Sequence, residues 1–249
     1  MSAHFLPPTV PLNQADATLA RQGFALLDAR SVQQAIGVAP QELAALQPSW
    51  DELPPDAHLK DGGRYRRRRH SCFIVEGDQV RQAPHRFHWQ PLDYNALHGG
   101  MERWFEPMES ATVALPVWNR LLARVAAFAS GLKGERRWYV EAHQFRIDTT
   151  GGIGRPTPEG AHRDGHELVA VFLVGRHRVK GGESRVFEAA GPNGQRFTLT
   201  EPWSLLLLDD ERVIHETTPI QPSTEDELGW RDSLVITCRA GGFQGDAAP

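Results

Sequence analysis

The stretch PTPEGAHRDGHELVAVFLV, residues 156–174, sets His162, Asp164 and His166 within five positions, directly ahead of an almost wholly apolar run. Imidazole and carboxylate are ligands for first-row metals, and in an extended chain His162 and Asp164, two apart, point the same way. Two ligands do not make a site. About fifty residues on, LLLLDDERVIHETTPI runs from an apolar strand through an Asp-Asp-Glu turn into a second strand that carries His215. Two imidazoles and one carboxylate on one face, with the opposite positions open, form the facial triad of non-haem Fe(II) oxygenases. A three-ligand zinc centre with an open position has the same outline and serves hydrolysis. His143, in WYVEAHQFRI, is a further candidate, whereas His58, His70, His85, His88, His98 and His177 lie in polar or proline-rich surroundings and are weaker ones.

The next strand bears on the choice between iron and zinc. GWRDSLVIT places Arg231 and Ser233 two apart, hence on one strand face. An arginine inside a barrel is costly unless an anion meets it, and its planar fork suits a carboxylate. The distal carboxylate of 2-oxoglutarate fits that description, with the Ser233 hydroxyl as a further donor; a salt bridge to Asp232, Glu227 or Glu225 is the plain alternative. Gln144 and Arg146 share a face of WYVEAHQFRI and are expected to reach the same interior as cofactor-binding donors, or else to form an outward polar pair. His166 is read as a core histidine or a substrate contact. Glu159 and Gly160 belong to a proline-restrained loop at the mouth, and Gly181 and Gly182 are turn residues.

The elements that must hold these groups change character near residue 137. Before it, NQADATLARQGF, ending at Gly23, PQELAALQ, opening on Pro40, and PVWNRLLARVAAFASGL, with Val117, Leu121, Val125, Phe128 and Leu132 on one face, read as helices. After it, WYVEAHQFRI, ELVAVFLV, ESRVFEA, QRFTL, WSLLLL, RVIHETTPI and DSLVITCR read as strands separated by Gly, Pro and Asp. Seven short strands in about a hundred residues imply a sandwich or jelly-roll barrel. ELVAVFLV is apolar at both parities, so both its faces should be buried. The expected organisation is one domain over 1–249, with a helix-rich part at 1–137, a β-barrel core at 138–240 and a polar tail at 241–249.

Composition narrows the partners. The 249 residues are 40% hydrophobic and 23% charged, enough for a sizeable core. The formal net charge of −4 gives no global pull towards nucleic acid or an anionic membrane. RYRRRRH, residues 64–70, is a local exception, yet no clustered aromatic platform accompanies it, and one or two of its arginines are as well suited to a substrate carboxylate. No spanning segment or signal peptide is evident, so a cytoplasmic protein is expected. Cys72 and Cys238 are read as reduced packing thiols. Oligomeric state is left open, with a homo-oligomer admitted.

Taken together, PTPEGAHRDGHE, VKGGESRVFEAAG, LLLLDDERVIHETTPI and GWRDSLVIT resemble the bacterial 2OG-Fe dioxygenase family that includes the L-isoleucine hydroxylases. GGRYRRRRHSCF and HGGMERWFEP resemble that family's N-terminal half, so the likeness runs from about residue 20 to 240. The resemblance implies a double-stranded β-helix, cupin-like, with His162, Asp164 and His215 as iron ligands and Arg231 as the 2-oxoglutarate anchor. It implies an Fe(II)- and 2-oxoglutarate-dependent enzyme that releases succinate and CO2 while O2 hydroxylates, or oxidises at sulfur, a small molecule such as a free L-amino acid. The competing readings are a non-catalytic cupin-like binding or regulatory protein, and the same chemistry on a protein or nucleic acid.

Overall fold

The computed structural model describes residues 6–246 apart from Ala96, His98 and Asp226; of the features expected above, His98 and the last three tail residues lie outside the described residues. In chain order the elements are α1 (Ala15–Gln22), β1 (Phe24–Leu27), α2 (Ala29–Ile36), α3 (Pro40–Ala44), β2 (Arg66–Glu76), β3 (Gln79–Gln82), α4 (Ser110–Val113), α5 (Pro116–Lys133) and β4 (Trp138–Asp148). They continue as β5 (Leu168–His177), β6 (Val179–Gly181), β7 (Ser184–Glu188), β8 (Gly194–Phe197), β9 (Leu205–Leu208), β10 (Val213–Thr217), β11 (Ile220–Pro222) and β12 (Trp230–Arg239). Each of the three expected helices and seven expected strands is represented. Gly23 ends α1 in the left-handed conformation, and Pro40 and Pro116 open α3 and α5.

Seven strands form one large antiparallel sheet in the order β1-β9-β5-β12-β4-β2-β3, faced by the smaller sheets β10-β7-β8 and β11-β6. The architecture is jelly-roll-like without being a closed barrel. The expected change of character at residue 137 does not divide the strands, because β1, β2 and β3 come from the supposedly helical half and complete both ends of the large sheet. The arginine run hid β2: four consecutive arginines carry no apolar alternation by which a strand could be recognised.

The large sheet is two-sided. Ala170, Phe172 and Val174 of β5, Leu234, Ile236 and Cys238 of β12, Val140 and Ala142 of β4, and Phe73 and Val75 of β2 join the core under α1, α2 and α5. The opposite parity faces the smaller sheets, where Val169, Leu173, Leu206, Leu208, Val186 and Phe197 form a second core. The buried face of α5 is the expected one, with Val117, Leu121, Val125 and Phe128 buried and Leu132 partly so. Cys72 and Cys238 are both buried, unbridged thiols. No helix among the described residues is long and apolar enough to cross a membrane.

A candidate metal centre and its cavity

The cavity-facing rows of β2, β4 and β12 lie side by side. Cross-strand register sets Arg66, Arg68 and His70 of β2 against Ile147, Phe145 and His143 of β4, and Arg231, Ser233 and Val235 of β12 against the same three. This floor, apart from His70 and with the addition of Val171 of β5 and Thr237 of β12, lines one side of a cavity whose rim carries His162, Asp164 and His215.

His215 stands on β10, as expected, but His162 and Asp164 are held by a loop and a bridge and not by β5. β5 begins only at Leu168, so the expected extension of that strand back to His162 does not occur. Instead His162 and His215 exchange both backbone hydrogen bonds, at 3.0 and 2.9 Å, as an isolated antiparallel pair. The Asp210 carboxylate then accepts the backbone N–H groups of Asp164, Gly165 and His166 at 3.1, 2.6 and 3.1 Å. Gly165 is required at the bend: its φ is +80°, and a Cβ there would sit 2.6 Å from Gln244 Nε2 and 2.7 Å from the Tyr94 ring. Gln244 Nε2 itself donates to the carbonyls of Asp164 and Gly165, at 3.1 and 2.8 Å.

Asp164 Oδ1 lies 3.6 Å from His162 Nε2, and Oδ2 lies 3.7 Å from His215 Nε2. Ligands roughly 2.1 Å from a shared ion at right angles stand about 3 Å apart, so a small contraction closes the set on a cation. His162 Nδ1 faces the Gly160 carbonyl at 3.0 Å, which keeps a proton on Nδ1 and leaves Nε2 as the ring atom turned to the carboxylate. Gln90 Nε2 donates to Asp164 Oδ1 at 3.2 Å and takes Arg103 Nη2 on its own oxygen at 2.8 Å. Burial opposes charge on His162, but Asp164 and then Glu159 outweigh it and hold the imidazole up at about 10. His215 is pushed the other way, to about 4, by burial and by its neighbour His162. Burial and the adjacent Asp164 raise Asp210 to about 6. Ligand atoms of His162, Asp164 and His215 lie within 4.8 Å of one another, where a bound cation would take the place of the His162 proton beside the Asp164 carboxylate.

Arg231 lies in the same cavity, 3% exposed, and its Nε and Nη2 have no hydrogen-bond partner. The plain alternative for it is not realised: no ion pair joins Arg231 to Asp232, Glu227 or Glu225 among the described residues, Asp232 pairing with Arg146 at 2.8 and 2.7 Å and Glu227 with Arg178 at 2.9 Å. Burial above all, then Arg176, lowers Arg231 to about 10, so it remains a cation. A buried cation with unmade hydrogen bonds is a receptor for an anion. Ser233 is beside it on the cavity wall, as expected.

Gln144 and Arg146 do not reach the cavity, which corrects the expectation for them. They fall on the other parity of β4. Gln144 Nε2 donates to Ser49 at 2.6 Å, while Arg146 forks Asp232 and adds Asp51 at 3.0 Å. His166 lines the cavity, buried, with both ring nitrogens unpartnered. Glu159 lines it too, with Oε2 buried and unpartnered and Oε1 at 3.6 Å from His162 Nε2.

Sequence reasoning missed a second histidine-rich group. Glu141 Oε2 takes His70 Nε2 at 2.9 Å and His88 Nδ1 at 2.7 Å, with His143 Nε2 at 3.8 Å, and all four residues are buried. By count it could hold a metal. One bond argues otherwise: Arg68 Nη2 donates to His143 Nδ1 at 2.7 Å, so the lone pair of that ring points to Arg68 and its proton sits on Nε2, towards Glu141. Burial opposes the carboxylate, but His88 and His70 hold Glu141 well below the usual range, and burial keeps the three imidazoles neutral. Glu141 is thus the acceptor of an imidazole network. Arg103, Gln90 and Asp210 were also missed, and nothing within RYRRRRH singled out Arg66 and Arg68 from their neighbours.

A family model described as 2OG-Fe dioxygenase matches residues 47–237. No curated protein matches the chain. Among solved structures, a bsmA homolog from Methylobium petroleophilum PM1 is 50% identical, with a TM-score of 0.91 over 97% of this chain and 98% of that one. IDO from Bacillus thuringiensis is 18% identical, with a TM-score of 0.75 over 91% and 98% of the two chains. The Fe(II)/(alpha)ketoglutarate-dependent dioxygenase TqaL is 17% identical, with a TM-score of 0.72 over 96% and 90%. The last two are likenesses of fold.

Proposed function

The chain belongs to the 2OG-Fe dioxygenase family, and from that premise we propose that His162, Asp164 and His215 hold its iron and that Arg231 with Ser233 anchors 2-oxoglutarate. It is a non-haem dioxygenase whose cofactors are Fe(II) and 2-oxoglutarate and whose co-substrate is O2. The observation that carries the residue assignment is the buried, unpartnered Arg231 guanidinium in the cavity that bears the His-Asp-His rim. In this reading residues 1–249 act as one catalytic domain.

Bound iron supplies the coupling of oxidative decarboxylation of 2-oxoglutarate, to succinate and CO2, with oxidation of the substrate. The chain supplies the geometry. With the cation bound, His162 would give up the Nε2 proton that Asp164 otherwise holds on it, so that both histidines would present neutral nitrogens, and Asp164 would offer a carboxylate steadied by Gln90 at its side chain and by Asp210 through its backbone. Arg231 orients the distal carboxylate by a two-point contact and so fixes the approach of the other end to the rim. Val171 and Val235 on the floor exclude water from the reacting centre.

The substrate in this reading is a small molecule, a free L-amino acid hydroxylated on its side chain or oxidised at sulfur, in line with the likeness to the L-isoleucine hydroxylases. Supporting it, the cavity wall carries both signs: buried arginines with unmade hydrogen bonds and the Glu159 carboxylate, whose Oε2 is unpartnered, a wall suited to a zwitterion. Anaerobic titration with Fe(II) and 2-oxoglutarate, then a succinate assay against a panel of free amino acids, tests both levels. Metal-dependent 2-oxoglutarate binding and succinate release with one or a few amino acids are expected. Equal 2-oxoglutarate binding with and without Fe(II) would sink the site assignment.

A further inference from the structure

Once Arg231 is given to 2-oxoglutarate, three more buried guanidiniums remain on the wall of the same cavity, those of Arg66, Arg68 and Arg103. Asp56 is the carboxylate ion-paired with them among the described residues, 2.7 Å from Arg66 Nε and 4.0 Å from Arg68 Nη1. Glu141 lies behind His143 and already accepts from His70 and His88. Within ion-pair distance, then, the three guanidiniums have one carboxylate among them. One N–H-bearing nitrogen of each arginine is buried and unpartnered: Arg66 Nη2, Arg68 Nε and Arg103 Nε.

Arg68 is the most rigidly held of the three. Its Cζ lies 3.7 Å from the Phe105 ring centre and 4.5 Å from that of Phe145, and Nη2 is tied to His143 Nδ1. His143 can accept that bond only while its own proton stays on Nε2, the side facing Glu141. A guanidinium pinned on its rings and along one edge has its remaining donors aimed in advance, which lowers the ordering cost of binding an anion.

We infer that Arg68 is the receptor for the substrate's α-carboxylate, with Arg66 and Arg103 beside it, and that His143, backed by Glu141, is the positioning residue that aims it. The inference rests on the reading of the iron and 2-oxoglutarate sites given above. It makes the carboxylate the group by which a substrate is admitted, and leaves the side chain free to face the rim.

The test uses the full-length protein loaded anaerobically with Fe(II) and 2-oxoglutarate, with the twenty L-amino acids and their primary amides as probes. At least one acid should bind, and its amide, which lacks the anion, should bind about tenfold or more weakly. Arg68→Lys should compress that acid-over-amide preference and leave 2-oxoglutarate affinity unchanged. His143→Leu should do the same, and His143→Gln, whose amide oxygen can still accept from Arg68, should restore much of it. Amides binding as well as acids in the wild type, or no acid binding at all, would overturn the inference without any variant having to fold. Loss of the Fe(II)–2-oxoglutarate absorption band in the wild type would instead indict the underlying site. The inference also fails if a His162→Ala/His215→Ala double variant keeps a stoichiometric metal that His143→Leu removes, since the imidazole network would then be a metal site.

Discussion

What an arginine does in this protein is decided by what meets it. Arg146 is neutralised by Asp232 and Asp51, Arg178 by Glu227, and Arg69 by Glu106 and Glu109. Arg231 has none of these, although it sits next to Asp232 in the chain, because adjacent residues of a strand point to opposite faces. Removing it should cost what a charged hydrogen bond contributes, about 1.5 to 3 kcal/mol. Arg231→Ala is therefore expected to weaken 2-oxoglutarate by roughly ten- to a hundredfold while Fe(II) affinity is kept, and Arg231→Lys to regain only part, since an ammonium cannot match the fork. Calorimetric titration of each variant checks it; an unchanged 2-oxoglutarate affinity in Arg231→Ala would send the anchor elsewhere. Gln90 touches Asp164 directly, and partners of this kind typically tune metal affinity ten- to a hundredfold. Gln90→Leu should lower Fe(II) affinity by about that factor in a competition titration with a chelator.

At the scale of elements, the rim is held by the turn between β9 and β10. Asp210 takes three backbone N–H groups from the loop that carries Asp164, so one side chain fixes the path of another segment 44 to 46 residues away. Asp210→Ala leaves those donors buried and unmade, and should both weaken Fe(II) binding and uncouple 2-oxoglutarate decarboxylation from substrate oxidation, with the global fold retained. Comparing succinate formed with product formed reads the uncoupling; a variant that stays fully coupled would remove the clamp from the argument. Helix α5 has a different task. Trp118 is fully buried and packs its indole near Phe73 of β2, with ring centres 5.9 Å apart, roofing the outer face of the sheet. Trp118→Ala should cost about 3 to 5 kcal/mol in denaturant unfolding, with site affinities in the surviving folded fraction little changed.

At the scale of the molecule, the site joins segments from the whole chain. His162 and His215 come from the smaller-sheet side, Arg231 and Ser233 from the middle of the large sheet, and Arg66 and Arg68 from near its far edge. A ligand that bridges these groups binds the folded state alone, so loading should stabilise the whole protein. At a hundredfold excess over the dissociation constant the gain is about 2.7 kcal/mol, or roughly 5 to 10 °C for a chain of this size. Fe(II) with 2-oxoglutarate under anaerobic conditions should raise Tm by that order, a chelator should reverse it, and the His162→Ala/His215→Ala variant should show little of it. A shift of full size in the double variant would mean that the stabilising metal sits elsewhere.

The contrast between apolar and polar positions determined a good deal from the chain alone. Both-faced apolarity of residues 168–174 marked a strand buried between layers, the stripe on residues 116–133 marked α5, and His162, Asp164, His215, Arg231 and Ser233 each stood out by type against such a background. Where that contrast is absent, tertiary structure decided. Four arginines in a row have no phase, so only the register of β2 on β4 sent Arg66 and Arg68 inward and Arg67 and Arg69 out. Gln144 and Arg146 were misassigned because their partners, Ser49, Asp51 and Asp232, lie 86 to 95 residues away and made the helix-side face of β4 the better home for polar groups. The Asp210 clamp and the Arg68–His143–Glu141 network depend in the same way on contacts between distant segments, because a buried polar group is satisfied by whatever the fold brings to it, and local sequence does not encode that partner.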